Sequence, residues 1–111
     1  MPVWATASVE NVPEIRLASW RVFESNLGER HLVGYNLTLR EGRVTSQVNS
    51  FDAKQKRAVT ESGRVYDLVG EAGWNSDADY VWNLWKHHQT DRTYTEITAD
   101  VEAEIAAAGE E

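Results

Sequence analysis

Cysteine is absent from this chain of 111 residues, which has only two prolines and one methionine. Without cysteine there is no disulfide bond, no thiolate metal ligand and no thiol nucleophile. The lack of disulfides fits a reducing compartment, so we expect a cytoplasmic protein. No run approaches the ~18 apolar residues of a membrane span. Residues 1–14 lack the basic start and apolar centre of a signal peptide, so we expect none.

Negative charge is concentrated at one end of the chain. Residues 91–111 contain seven acids and one base, whereas residues 1–90 contain eleven acids and ten bases. The formal charge of −7 therefore divides into −6 and −1. This asymmetry predicts an acidic face or tail on an otherwise ordinary domain. It disfavours direct binding to nucleic-acid phosphates and suits a partner with a basic surface.

The hydrophobic periodicity predicts a single α+β domain. Alternating apolar residues predict a meander of about four antiparallel strands, and a 3.6-residue period predicts helices. The predicted strands are residues 14–24, 31–39, 43–51 and 58–69, the last interrupted by a turn at Ser62-Gly63, with a short strand at 93–98. The predicted helices are 77–88 and 98–108. The main helix, 77–88, is expected to cover one face of the sheet. The acidic C-terminal helix, 98–108, is expected to pack beside it or to project, and residues 1–13 form a loosely ordered arm.

A short repeat links two of the predicted turns. EGRVTSQV (41–48) and SGRVYDLV (62–69) share the pattern x-G-R-V-x-x-x-V. We interpret Gly42 and Gly63 as hairpin glycines at positions that need a positive φ.

Motifs for catalysis, cofactors and metals are missing from the sequence. His87 and His88 are adjacent, so on a regular helix they point about 100° apart and cannot chelate one ion. The third histidine, His31, has no partners at metal-ligand spacing. No serine has a nucleophile-elbow context, and no glycine loop is suited to phosphate. We therefore predict no catalytic residue, no metal and no cofactor, and favour a non-enzymatic protein.

Five tryptophans are many for this length, and three of them fall within residues 74–85. On the predicted helix, Val81, Leu84 and Trp85 can face the sheet, which leaves Tyr80 and Trp82 pointing partly elsewhere. One interpretation is a wide core; the other is an aromatic surface that anchors a partner. The predicted partner-binding residues are the aromatic Trp74, Tyr80 and Trp82 and the acidic Glu96, Asp100, Glu102 and Glu104.

The runs RHLVGYN (30–36), GRVTS (42–46), FD (51–52), SGRVYDL (62–68) and DADYVW (77–82) span about half of the chain. They resemble small uncharacterised bacterial proteins that are often encoded on phages and other mobile elements. Such elements encode compact acidic proteins that inhibit host defence, anti-CRISPR proteins among them. The resemblance implies an inhibitor of a host nucleic-acid-binding, CRISPR-type complex, and it implies no catalytic residue.

Three functions are therefore open. The first is a protein-binding inhibitor that uses its acidic helix or its aromatic surface on a basic, nucleic-acid-binding protein. The second is a small-molecule-binding or enzymatic domain with a pocket between sheet and helix, lined by Tyr35, Tyr66, Trp85 and His88. The third is a homodimer that buries the main helix or a sheet edge.

Overall fold

The computed structural model describes residues 13–109. Within this range the fold is mixed α+β, with a seven-stranded, mostly antiparallel sheet and two helices. The strands are β1 Glu14–Ser25, β2 Arg30–Asn36, β3 Glu41–Val44, β4 Val48–Asp52, β5 Arg57–Thr60, β6 Val65–Val69 and β7 Tyr94–Glu96. The helices are α1 Ser76–His87 and α2 Thr98–Gly109. Apart from Pro13, the predicted N-terminal arm lies outside the described residues.

The α+β class is confirmed, but the four-stranded meander is not. The strand order is β3-β2-β1-β6-β5-β4, so two three-stranded antiparallel units meet where β1 and β6 run parallel. The short β7 pairs with the C-terminal end of β1. The predicted strand 43–51 is in fact two strands, which lie at opposite edges of the sheet. Periodicity indicates that a segment is a strand, but it does not identify the strand with which that segment pairs.

The short link between the two edge strands forces the sheet to curl. Only residues 45–47 join β3 to β4, and four Cα–Cα steps reach at most about 15 Å. The outer strands of a flat six-stranded sheet would lie about 24 Å apart. The sheet is therefore an open barrel, and β2 contacts β4 although three strands separate them in the order.

A β-bulge in β1 keeps the apolar residues of that long strand on one face. Pairing with β2 shifts between Ala18 and Arg21, and Ser19 has a φ of 48°. The extra residue reverses the alternation. Consequently Leu17 and Trp20 lie in the same core, whereas strict alternation would have placed them on opposite faces.

The two helices cover opposite faces of the sheet. Helix α1 packs on the convex face, over β2 and β3, and helix α2 packs on the concave face, against β1. The concave core comprises Ile15, Leu17, Trp20, Val22, Leu32, Ala58, Tyr66, Leu68 and Val101. The convex core comprises Phe23, Val33, Val44, Ala78, Val81 and Trp82. The C-terminal helix thus neither projects nor packs beside the main helix. No described helix is long and apolar enough to cross a membrane.

The two glycines of the short repeat have different roles. Gly63 has a φ of 88°, as expected for a hairpin glycine. Gly42 has no positive φ and lies within β3, so its prediction as a turn glycine is wrong. A Cβ atom there would lie 2.6 Å from the backbone nitrogen of Ala78 and closer still to the carbonyl of Asp77. Gly42 is required because the first turn of α1 approaches the β3 backbone.

Candidate functional site

The docking of α2 separates the predicted acidic residues into different surfaces. Val101 is buried against the concave core, which fixes the rotation of the helix. Residues two positions apart on a helix point about 200° apart. Glu102 therefore lies on one flank of α2, and Asp100 and Glu104 lie towards the other. The predicted four-residue acidic surface is not continuous.

The two acids on the far flank differ in their surroundings. Glu104 forms an ion pair with Arg30, whose Nη1 lies 3.4 Å from the carboxylate, and Arg30 also pairs with Glu24. Asp100 is exposed in the first turn of α2, where a carboxylate is favoured by the helix dipole. Part of the excess negative charge of this segment is therefore neutralised within the fold.

A groove runs along α2 on the Glu102 side, and we call it the α2 groove. It lies between α2 and residues 70–74 and has two adjacent parts of about 380 Å³ and 390 Å³, which share the lining residues Ala72 and Glu102. One part is lined by Trp20, Lys56, Gly70, Glu71, Ala72, Glu102, Ile105 and Ala106. The other is lined by Arg21, Ala72, Gly73, Trp74, Glu96, Thr98 and Glu102.

The α2 groove has an apolar floor and an acidic rim. Its floor includes the buried indole of Trp20, whose Nε1 donates a hydrogen bond to the carbonyl of Gly70 at 3.2 Å. Three carboxylates line the groove, and two of them, Glu71 and Glu102, have no ion pair or hydrogen bond within residues 13–109. The third, Glu96, accepts a hydrogen bond from Thr98 Oγ1 at 2.8 Å.

The bases that line the same groove are already engaged. Lys56 Nζ donates to the carbonyl of Gly70 at 2.8 Å, and Arg21 pairs with Asp79 at 3.2 Å. The Arg21–Asp79 pair is neutral, whereas Lys56 keeps its charge because a carbonyl is neutral, so three carboxylates line the groove with one uncompensated cation and its charge is negative. The groove therefore favours a cationic ligand.

The three predicted aromatic residues occupy three different environments. Trp74 is 63% exposed and lies at one end of the α2 groove. Tyr80 is 61% exposed on α1, outside that groove. Trp82 is only 2% exposed, so its prediction as a partner-binding residue is wrong. Its ring packs into the convex core because α1 lies across β2 and β3 and turns Trp82, together with Val81, towards the sheet.

A second, more polar cleft of about 380 Å³ lies between β2, β3 and the C-terminal end of α1, and we call it the His31 cleft. Its rings are those of His31, Trp85 and Tyr94, and its charged residues are Glu29, Arg43, Glu61 and Arg92. Uncharged residues complete the lining: Val44, Thr45, Ser46, Gln47 and Gln89. His31 and Arg43 are both 7% exposed.

The segment after α1 is fixed to the β1–β2 turn, which completes the His31 cleft. Asn26 and Thr93 exchange two hydrogen bonds of 2.9 Å and 3.1 Å. Arg92 Nε donates to Glu29 Oε1 at 2.8 Å, and Ser25 Oγ donates to the same oxygen at 3.0 Å. These bonds favour the carboxylate and hold the pKa of Glu29 below its ordinary value. Burial raises the pKa of Tyr94.

The lowered pKa of Glu29 predicts an acid-sensitive contribution to stability. A carboxyl whose pKa is lower in the folded state stabilises the fold fully above its unfolded pKa, near 4.5. That contribution is lost as the pH falls through the folded value. We expect the difference in unfolding free energy between wild type and Glu29→Gln to be constant between about pH 5 and about pH 7. The difference should shrink as the pH falls below 4.5, the pKa of the unfolded state.

Urea unfolding of both proteins across this pH range measures the difference. Glu71→Gln is a suitable control because the exposed Glu71 carboxylate has no ion pair or hydrogen bond among the described residues. A difference that grew on acidification would contradict the assigned contact.

The pocket predicted between sheet and helix exists only in part. Of its four predicted lining residues, Trp85 lines the His31 cleft. Tyr66 is fully buried in the concave core, and Tyr35 and His88 do not line the cleft. Glu29, Arg43 and Arg92 were not identified from the sequence as site residues, because the contacts that assemble them join distant segments. One available signal was Arg92, which is the single base in the acidic segment 91–111.

Residues 13–109 contain no group of three or more histidine or acidic side chains that could hold a metal ion. Comparison of the chain with protein-family models, with curated proteins and with solved structures gives no match.

Proposed function

We propose that this protein is a non-enzymatic binding protein whose α2 groove accepts a basic segment of a partner protein. The observation that supports the proposal most directly is the co-location of exposed Trp74 with Glu96 and Glu102 around one groove. Exposed tryptophan is a frequent anchor of protein interfaces. Carboxylates beside it that have no ion pair among the described residues select for lysine or arginine.

The partner class follows from the charge. Basic, solvent-exposed segments are typical of nucleic-acid-binding proteins, since they contact phosphates. A protein that occupies such a segment competes with nucleic acid and acts as an inhibitor. This agrees with the inhibitor of a host nucleic-acid-binding complex that the mobile-element resemblance implies. Of the four acidic residues predicted to bind a partner, Glu96 and Glu102 contact it in this proposal, while Asp100 and Glu104 do not.

The test begins with a pull-down of the tagged protein from host lysate at low and high salt, followed by calorimetry on the purified partner. We expect Glu102→Lys to weaken binding by about tenfold or more, because it places like charges together. We expect Trp74→Ala to weaken it by about thirtyfold, the loss typical of an interface anchor.

Two matched controls make this result specific to the groove. Asp100→Lys has the same charge change on the same helix but lies outside the groove, and Tyr80→Ala removes another exposed ring. Both are expected to bind like wild type. If Asp100→Lys weakened binding as much as Glu102→Lys, the interaction would depend on overall charge and the groove would be the wrong site. Capture of a second copy of the chain alone would favour the homodimer, which sedimentation velocity would then verify.

A further inference from the structure

The His31 cleft has no part in the function proposed above, yet its lining is that of a small-molecule site. Its volume of about 380 Å³ falls within the roughly 300–1,000 Å³ of ligand pockets. Such pockets combine aromatic walls with a few fixed polar groups. The cleft has both.

The aromatic wall of the cleft is fixed by packing. The His31 ring centroid lies 4.9 Å from that of Trp85 and 6.0 Å from that of Tyr94, and Trp85 and Tyr94 are 5.6 Å apart. Trp85 also stacks on the buried ring of Trp82, at 5.6 Å and 19°. Because these side chains are already held in place, a ligand that contacts them immobilises few additional side chains, and the entropic cost of binding is lower. Aromatic walls of this kind suit a flat ring.

The polar edge of the cleft can both donate and accept hydrogen bonds. His31 Nδ1 lies 3.0 Å from the carbonyl of Thr45, which can only accept, so Nδ1 is protonated. In the neutral ring Nε2 is then an acceptor, and it has no hydrogen-bond partner among the described residues. Gln47 and Gln89 each add an amide with a donor and an acceptor.

The charges around the cleft balance. Two guanidinium groups, Arg43 and Arg92, face two carboxylates, Glu29 and Glu61, and Arg92 is directly paired with Glu29. Because the charged residues of the lining sum to zero, the cleft has no net positive charge to attract a phosphate. The lining therefore suits an uncharged ligand.

We propose that the His31 cleft binds an uncharged, planar nitrogen heterocycle of nucleobase or nucleoside size. The rings of Trp85 and Tyr94, which form one wall, contact one flat face of the ligand. The amides of Gln47 and Gln89 and the Nε2 atom of His31 hydrogen-bond to its edge. Amide side chains are suited to this role because a base edge presents adjacent donors and acceptors.

The probes for this test are adenosine, guanosine, cytidine and uridine, each with its 5′-monophosphate, titrated into the full chain by calorimetry and by ¹H–¹⁵N NMR. We expect at least one nucleoside to bind with a Kd below about 1 mM and more tightly than its monophosphate. Gln89→Ala and Gln47→Ala should each weaken it by about fivefold or more, as expected for a lost hydrogen bond.

Trp74→Ala is the matched control, because Trp74 is an exposed tryptophan in the other groove. It should leave nucleoside binding unchanged, and the NMR spectra verify that every variant is folded. The proposal is overturned if no nucleoside binds, if the monophosphates bind more tightly, or if Trp74→Ala rather than the glutamine variants abolishes binding.

Discussion

Trp82→Ala is expected to destabilise the fold by about 3–5 kcal/mol, the usual loss when a buried tryptophan is truncated. The ring is 2% exposed and stacks on Phe23 with centroids 4.3 Å apart. It also meets Tyr94 edge-on at 5.2 Å. Removing it leaves a cavity where α1, β1 and β7 meet, and the surrounding rings cannot collapse to fill it without moving the helix.

Tyr80→Ala is the control for this change. Tyr80 lies two residues earlier on the same helix and is 61% exposed, so its loss should change stability by no more than about 0.5 kcal/mol. Urea unfolding, monitored by circular dichroism, gives both values. Equal effects of the two substitutions would contradict the burial of Trp82 and would again make it a candidate partner-binding residue.

Gly42→Ala is expected to cost about 3 kcal/mol, at the upper end of the range for overpacking. The added methyl group would lie 2.6 Å from the nitrogen of Ala78. That nitrogen donates to Asn75 Oδ1 at 3.0 Å, which is the N-cap bond of α1. Since the obstacle is helix backbone, relief requires movement of the first turn of α1, which also disturbs the cap.

Gly109→Ala is the matched glycine substitution. Gly109 is the last residue of α2 and has no positive φ, and among the described residues nothing beyond its chain neighbours and its own helix backbone lies within 4 Å of an added Cβ. We expect it to leave stability unchanged or to raise it by up to about 1 kcal/mol, because alanine favours helix. Thermal unfolding of both variants distinguishes a steric clash at Gly42 from an effect that any glycine-to-alanine substitution would have. A harmless Gly42→Ala would show that α1 does not lie this close to β3.

The helices could be predicted closely because their signals are local. Residues 77–88 and 98–108 were expected, and α1 and α2 occupy Ser76–His87 and Thr98–Gly109. Repeats of 3.6 residues and short-range caps lie within one segment, so no distant contact is needed to recognise them. The N-cap of α1 is Asn75, whose side chain accepts a hydrogen bond from the backbone nitrogen of Ala78.

The candidate sites could be predicted only as separate residues. Trp74 was expected in an aromatic surface and Glu96 and Glu102 in an acidic one, and the fold joins them around one groove. Asp100 and Glu104 were expected beside Glu102 and lie on the other flank of the helix. The rotation of α2 about its axis decides which acids share a surface, and that rotation depends on the burial of Val101 against residues of β1 and β2.

The amino-acid sequence by itself determined the α+β class, the positions of the two helices and the concentration of negative charge in residues 91–111. The tertiary structure alone decided the parallel pairing of β1 with β6, the curl of the sheet, the bulge at Ser19 and the placement of the helices on opposite faces. The physical reason is the range of the interactions. Helical periodicity and charge are properties of neighbouring residues. Strand pairing and site assembly depend instead on contacts between segments tens of residues apart. Several such pairings fit the same alternation of apolar residues, so the sequence pattern does not select one of them.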